Sequence, residues 1–215
     1  MEQRATGLIL RTRPLTETSL IVHWLTDALG RVATVARGAR RPKSPFRGRL
    51  DLFHLAEFTM VRSRRSDLHT LREVHLLEAH AGLRRDYAAL EQACYAAALL
   101  EQTTETDTPL PDFFELLRGY VWHLATHGAR PALLFAFELK LLRLLGQDPN
   151  VAQAQVTPGV RQILRIFVES DWHRVAALRL STPQFHELNR FLRAFLVYHL
   201  GRVPARRQAA LRMDD

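Results

Sequence analysis

The hydrophobic period of this 215-residue chain changes once, near residue 80, and that change demands two kinds of structure. Up to that point apolar residues come in short runs or alternate, as extended chain requires. The runs are 7–12, 19–26, 31–37, 50–61 and 68–77, and Ile9, Ile21, Val22, Val32, Val35 and Val74 supply the β-branched side chains that strands favour. Thr26-Asp27-Ala28-Leu29-Gly30 reads as a hairpin connection, with Gly30 free to take a positive φ. Five short strands in so few residues predict a small closed β-barrel, and an OB-fold and an SH3-like barrel both match the pattern.

Beyond residue 82 the spacing is helical. The periodicity predicts helices over 83–102, 112–127, 131–145, 158–169, 172–179 and 183–200. Three Thr-Pro pairs recur, at 108–109, 157–158 and 182–183. In the latter two, Thr is expected to cap a helix whose first turn holds the proline, where the missing N–H costs nothing. Gly128, Gly146 and Gly201 fall just past three helices, where a left-handed residue is wanted. The 131–145 segment is apolar nearly all round, with Leu133, Leu134, Phe135, Phe137, Leu139, Leu141 and Leu142, so it should be the buried centre of a bundle. The last helix should turn Phe185, Leu188, Leu192 and Phe195 inward, and 203–215 reads as an exposed tail carrying Arg206, Arg207 and Arg212.

Charge divides at the same place. Residues 1–72 hold 14 Lys/Arg against 6 Asp/Glu, whereas residues 73–215 hold 16 of each, so the whole net charge of +8 belongs to the first third. A basic module fused to a neutral one suggests a polyanion partner for the basic part. Arginine dominates, only Lys43 and Lys140 being lysines, which suits bidentate phosphate contacts and stacking on bases. The densest feature is the stretch 37–49, with Arg37, Arg40, Arg41, Lys43, Arg47 and Arg49, no acid, two prolines and two glycines. That composition forbids a regular helix or strand and predicts a basic loop between strands, able to track a phosphate backbone. Arg11, and the cluster Arg62, Arg64 and Arg65 at the end of the next strand, would extend the surface. Phe46, inside the loop, is a candidate for stacking on a base, whereas Phe53 and Phe58 are better read as core.

Few residues invite catalysis. The single cysteine, Cys94, excludes an internal disulfide and a Cys-based zinc site, and its spacing with Leu83, Tyr87, Leu90 and Ala97 reads as one buried helical face. His123 and His127 lie four apart, a spacing that could ligate a metal, but no third ligand is evident and ordinary surface or core histidines are the better reading. There is no Gly-rich phosphate loop, nucleophile elbow or paired-carboxylate pattern, and the acids of the helical part read as solvated. The sequence therefore predicts a binding protein rather than an enzyme, with no catalytic residue, no metal and no cofactor. Nor is there an apolar run of bilayer length, and Leu8–Leu10 is too short for a signal peptide, so a cytoplasmic protein with no membrane contact is expected.

The residues also carry a resemblance. Leu8-Ile9-Leu10-Arg11-Thr12-Arg13-Pro14-Leu15-Thr16-Glu17-Thr18-Ser19-Leu20, then Leu25-Thr26-Asp27-Ala28-Leu29-Gly30-Arg31, then Ala36-Arg37-Gly38-Ala39-Arg40-Arg41-Pro42-Lys43-Ser44, resemble in succession the start of the RecO proteins. Phe137-Glu138-Leu139-Lys140-Leu141-Leu142-Arg143-Leu144-Leu145-Gly146 is similar to that family's central helix, and Leu192 to Gly201 to its terminal one. One departure stands out. Many members carry a four-cysteine zinc module after the central helix, and here Gly146-Gln147-Asp148-Pro149-Asn150 runs directly into 151–157 without a cysteine.

The resemblance implies an α+β chain, with a five-stranded OB-fold barrel over 1–80 followed by an all-α helical bundle over 81–215. It implies a nucleoid-associated mediator of recombinational DNA repair that binds single- and double-stranded DNA and anneals strands. With RecR and the single-strand-binding protein SSB, such a protein helps load the RecA recombinase. The helical domain would receive the acidic C-terminal tail of SSB, for which Arg118, Arg130, Lys140 and Arg143 are the candidate cations. Two other functions fit the composition: a protein-interaction adaptor whose loop docks on an acidic surface, and an RNA-binding OB protein.

Overall fold

A computed structural model describes residues 2–147, 149–151 and 153–212. The chain forms two compact units: one runs to His80 and adds Glu105–Arg118, and the other combines Ala81–Thr104 with the chain from Gly119 onward.

The first unit is a closed barrel of β1 (Glu2–Pro14), β2 (Leu20–Thr26), β3 (Arg31–Ala36), β4 (Leu55–Val61) and β5 (Leu68–Glu78). Strands neighbour one another in the order β1-β2-β3-β5-β4, and β4 closes on β1. All pairs are antiparallel except β3–β5. That order, with its single parallel pair, is the OB-fold arrangement. Alternation decides the core: β3 buries Val32, Thr34 and Ala36, and β4 buries Ala56, Phe58 and Met60. Trp24 stacks on Phe58 at 4.2 Å and donates its indole N–H to Thr34 Oγ1 at 2.9 Å, which satisfies the one polar atom that the ring carries into the core. Phe53 is fully buried as well.

Gly30 ends the β2–β3 hairpin at φ +70, as its turn requires, and a Cβ there would lie 1.7 Å from the Thr108 carbonyl oxygen. The close approach is made by the returning segment, in which Asp107 N–H donates to the Arg31 carbonyl at 3.0 Å.

The second unit holds a 3-10 turn (Ala81–Arg84) and α1 (Tyr87–Thr103), then α3 (Pro131–Leu144), α4 (Pro158–Glu169), α5 (Trp172–Ala176), α6 (Thr182–Leu200) and the short α7 (Arg207–Ala210). The unit boundary falls inside α2 (Pro111–His127). Helix α3 is the buried centre: every residue from Ala132 to Leu139 is buried, including Glu138. Gly128, Gly146 and Gly201 all take positive φ beyond their helices.

Several expectations need correction. Residues 207–211 are not an exposed tail: Arg207, Ala210 and Leu211 are buried, and α7 packs on α1. Nor are all acids solvated. Glu138 accepts from Tyr95 Oη at 2.6 Å and from Arg207 Nε and Nη2 at 2.6 and 2.9 Å, and buried Glu91 pairs with Arg206 at 2.6 Å. Each acid finds a cation 69 or 115 residues away, which no local pattern announces.

The expected 83–102 helix begins only at Tyr87, because Asp86 caps it by accepting from Ala89 N–H. Its buried face runs through Ala89, Ala93, Ala96 and Leu100, so Tyr87 is exposed and Cys94 only half-buried. Thr157 does not cap α4 with its side chain; its N–H and hydroxyl donate instead to the Glu187 carboxylate. Helix α6 is capped by Ser181 in a reciprocal box with Gln184, and Thr182 is its first helical residue. It buries Leu188, Leu192 and Leu196, while Phe185 and Phe195 are half-buried. Asp148 in the cysteine-free connection, and residues 213–215 of the expected tail, lie outside the described residues.

Candidate nucleic-acid interface

The basic loop is an ordered chain of turns. Ala39, Arg41, Ser44, Arg47 and Arg49 each donate their N–H to the carbonyl three residues back, and Gly38 and Gly48 adopt positive φ within the series. The loop is tied to the β1–β2 connection by Arg40 N–H donating to Thr18 O at 2.9 Å, and Arg40 Nη1 reaches Thr16 O at 3.4 Å. At its far end Arg49 Nη1 donates to Val74 O at 2.8 Å, pinning the loop to β5. Arg49 is therefore partly a structural anchor. The side chains of Arg37, Arg41 and Lys43 are exposed and make no hydrogen bond or ion pair among the described residues. The Arg40 and Arg47 side chains are exposed too, each reaching one backbone carbonyl at 3.4 Å.

Phe46 is 7% exposed and belongs to the barrel core, so its ring does not project from the loop as the sequence suggested: a phenyl ring closes the end of the barrel better than it faces water. Trp24, Phe53 and Phe58 are buried as well. Planar groups exposed at this end of the barrel are guanidinium groups, which also stack on rings.

The strand register reveals a contribution that the sequence reading missed. Pairing of β1 with β2 shifts between Ile9↔Trp24 and Arg11↔His23, so one extra residue is inserted in β1. Leu8, Ile9 and Leu10 are consequently all buried, and beyond the bulge Arg11 and Arg13 lie outward beside His23 and Ile21. Arg13 Nη2 comes within 3.3 Å of His23 Nε2. Burial, and then the charges of Arg11, Arg13 and Arg31, push the His23 pKa down to about 4. Arg13 and His23 thus join the surface. Their signal in sequence was only a polar alternation after residue 10.

Arg62, Arg64 and Arg65 stand apart from the loop. Strand β3 begins beside Leu68, next to their turn, and ends at Ala36, where the loop begins, so the two clusters flank the strand from opposite ends. Arg62 is bound to Asp107 at 2.5 Å, which offsets its charge, while Arg64 and Arg65 are exposed.

Topology and a cationic barrel end are features that many proteins share; the sequence as a whole is more specific. Residues 1–80 match the family described as Recombination protein O N terminal, and residues 84–157 and 148–209 match Recombination protein O C terminal. The chain belongs to the RecO family. It is 34% identical over 150 residues to the DNA repair protein RecO of Rhodopirellula baltica, a match spanning 70% of this chain and 56% of that one. With the DNA repair protein RecO of Anaeromyxobacter dehalogenans the identity is 30%, over 95% of this chain and 94% of the relative. The Bacillus pumilus protein of the same name is 31% identical over 70% of this chain and 58% of its own length.

The four candidate cations for an acidic peptide differ in their surroundings. Arg118 is exposed and bound to Glu115 one helical turn away, at 2.6 Å. Lys140 is turned inward: Nζ donates to Ser170 O at 2.8 Å and sits over the Trp172 ring, and burial lowers its pKa. Its ammonium is occupied by the end of α4. Arg143 is exposed on α3. Arg130 borders a cleft, of about 540 Å³, with Arg179, Leu178, Phe185, His186 and Leu211.

His123 and His127 do meet, with ring centroids 4.5 Å apart, and His173 lies 6.5 Å beyond His127. His123 is 2% exposed, its Nε2 has no partner, and burial followed by its two histidine neighbours lowers its pKa to about 4. Among the described residues no group of three His, Cys, Asp or Glu stands ready to hold a metal ion. Likewise no helix there is long and apolar enough to cross a membrane.

Proposed function

We propose that this chain is a DNA-binding mediator of recombinational repair, acting by holding strands rather than by changing bonds. The observation that carries the reading is the ordered loop over 37–49, whose exposed guanidinium groups and Lys43 crown one end of the barrel without an acid among them. Such a surface attracts phosphates and releases their counterions. A strand leaving the loop would cross the outer face of β1, β2 and β3, past Arg11, Arg13 and His23, toward Arg64 and Arg65. Two strands held on one cationic surface repel each other less, and their pairing then supplies the specificity, which is all that annealing requires.

Kinship with proteins named for DNA repair supports this role. On this reading the partners are single- and double-stranded DNA, RecR, and the acidic tail of SSB, with RecA loading as the outcome. For the tail, the cleft beside Arg130 and Arg179 is favoured over Lys140, because its apolar wall and free rim cations match an acidic, hydrophobic peptide.

The test is fluorescence anisotropy with a labelled single-stranded oligonucleotide over a range of salt. An R40A/R41A/K43A variant is expected to bind more weakly, with a log–log salt slope shallower by about 2. Unchanged affinity and slope would transfer the weight to an adaptor that uses the loop against an acidic protein. Tighter binding of single-stranded RNA in competition would favour the RNA reading.

A further inference from the structure

The loop does more than present charge. Arg40, Arg41, Pro42 and Arg47 surround an open cleft of about 340 Å³ whose floor is Leu20, Ala39, Phe46 and Leu50. These four floor residues are the last layer of the barrel core: Phe46 is buried within it, and the other three pack half-buried against it. The consecutive turns of the loop, with Gly48 at the lip, keep the cleft open rather than letting the loop collapse onto the core.

We infer that this cleft takes one unpaired nucleobase of a bound strand, its ring against the apolar floor and its phosphate held by the rim arginines. The inference rests on the nucleic-acid reading of the loop and specifies what that loop recognises. A site for phosphate alone has no use for an apolar floor. An apolar peptide side chain would fit the floor but leave three guanidinium groups without an anion. A nucleotide answers both parts: a flat, weakly polar ring beside a negative charge, with guanidinium planes able to stack on the ring. A base inside a duplex cannot enter without leaving its stack, so the cleft selects single strands over paired ones. Recognition comes from this recessed apolar floor and the arginine planes rather than from an aromatic ring standing out into solvent.

The test compares, on the full chain, a single-stranded oligonucleotide with an abasic strand of the same length and phosphate count, both fluorescently labelled. The abasic strand is expected to bind about fivefold or more weakly, with an unchanged salt slope, because only the stacking contribution is lost. An A39F variant, which fills the cleft without altering charge, should erase the difference between the strands and leave the slope intact. L50S, which makes the floor polar, should do the same if A39F does not fold. A 2-aminopurine base in the strand should change its fluorescence on binding to the unaltered protein and not to the filled variant.

Equal affinity for both strands, with a slope that still depends on Arg40 and Arg41, would overturn the base pocket and leave the DNA reading standing. Loss of all loop-dependent binding would overturn both. Displacement of bound oligonucleotide by an acidic, leucine-containing peptide at lower concentration than by the free oligonucleotide would show the cleft to be a peptide site and overturn it too.

Discussion

Replacing Arg207 by alanine is the most demanding test of how the helical unit is held together. Arg207 and Glu138 have side-chain exposures of 7% and 0%, and two hydrogen bonds of 2.6 and 2.9 Å join them. The guanidinium also donates to Asn189 Oδ1 at 2.5 Å and lies 5.9 Å from the Phe135 ring centre. R207A leaves Glu138 fully buried, with Tyr95 as its remaining donor among these groups. Tyr95 cannot neutralise it, because burial and then the Glu138 charge push the phenol far above its usual pKa. Breaking such a pair from one side costs about 3–5 kcal/mol.

Urea unfolding followed by far-ultraviolet circular dichroism, which reports chiefly the helices, should register that loss in full. Deleting residues 203–215 should cost at least as much, since it also removes the bond from Gln92 Nε2 to Ala210 O. A variant with Met at both Glu138 and Arg207 and Phe at Tyr95 should recover most of the stability, because the desolvation penalty disappears with the charges. An R207A protein, or a truncated one, within about 1 kcal/mol of the parent would refute the reasoning and return the segment to the status of a tail.

Two further outcomes are expected. His123 has a folded-state pKa of about 4 against an ordinary 6.5, so between those values the unfolded chain binds a proton that the folded chain does not. Its burial therefore costs stability progressively as pH falls from 6.5 toward 4 and costs nothing above 6.5; H123F should flatten that part of a stability–pH profile, and an unchanged profile would count against an unprotonated His123. In the barrel, T34V leaves the buried Trp24 N–H without its acceptor and should destabilise by about 1–3 kcal/mol in thermal unfolding followed by tryptophan fluorescence. An unaltered melt would mean that the indole finds another partner.

Features that depend on neighbours in sequence were legible without a structure. Strand alternation, the Gly30 turn, the helix-ending glycines, the apolar α3 and the basic loop all follow from side-chain size, backbone freedom and charge over a few residues. The same reasoning misjudged residues whose partners are remote. Phe46 looked available because its neighbours are loop-forming and cationic, yet the open end of the barrel is what it fills. Lys140 and Arg207 looked like surface cations until α4 and α3 supplied carbonyl groups and a carboxylate to hold them. Arg13 escaped notice because one bulged residue in β1 sets which face it occupies.

The sequence by itself thus determined that a basic barrel precedes a neutral helical part, and where the cationic loop lies. Periodicity and charge are local quantities that survive in the unfolded chain. Tertiary structure alone decided which charges remain free to meet a polyanion and which are consumed within the fold. A charge is committed only when burial removes its water and a distant opposite charge or carbonyl takes water's place.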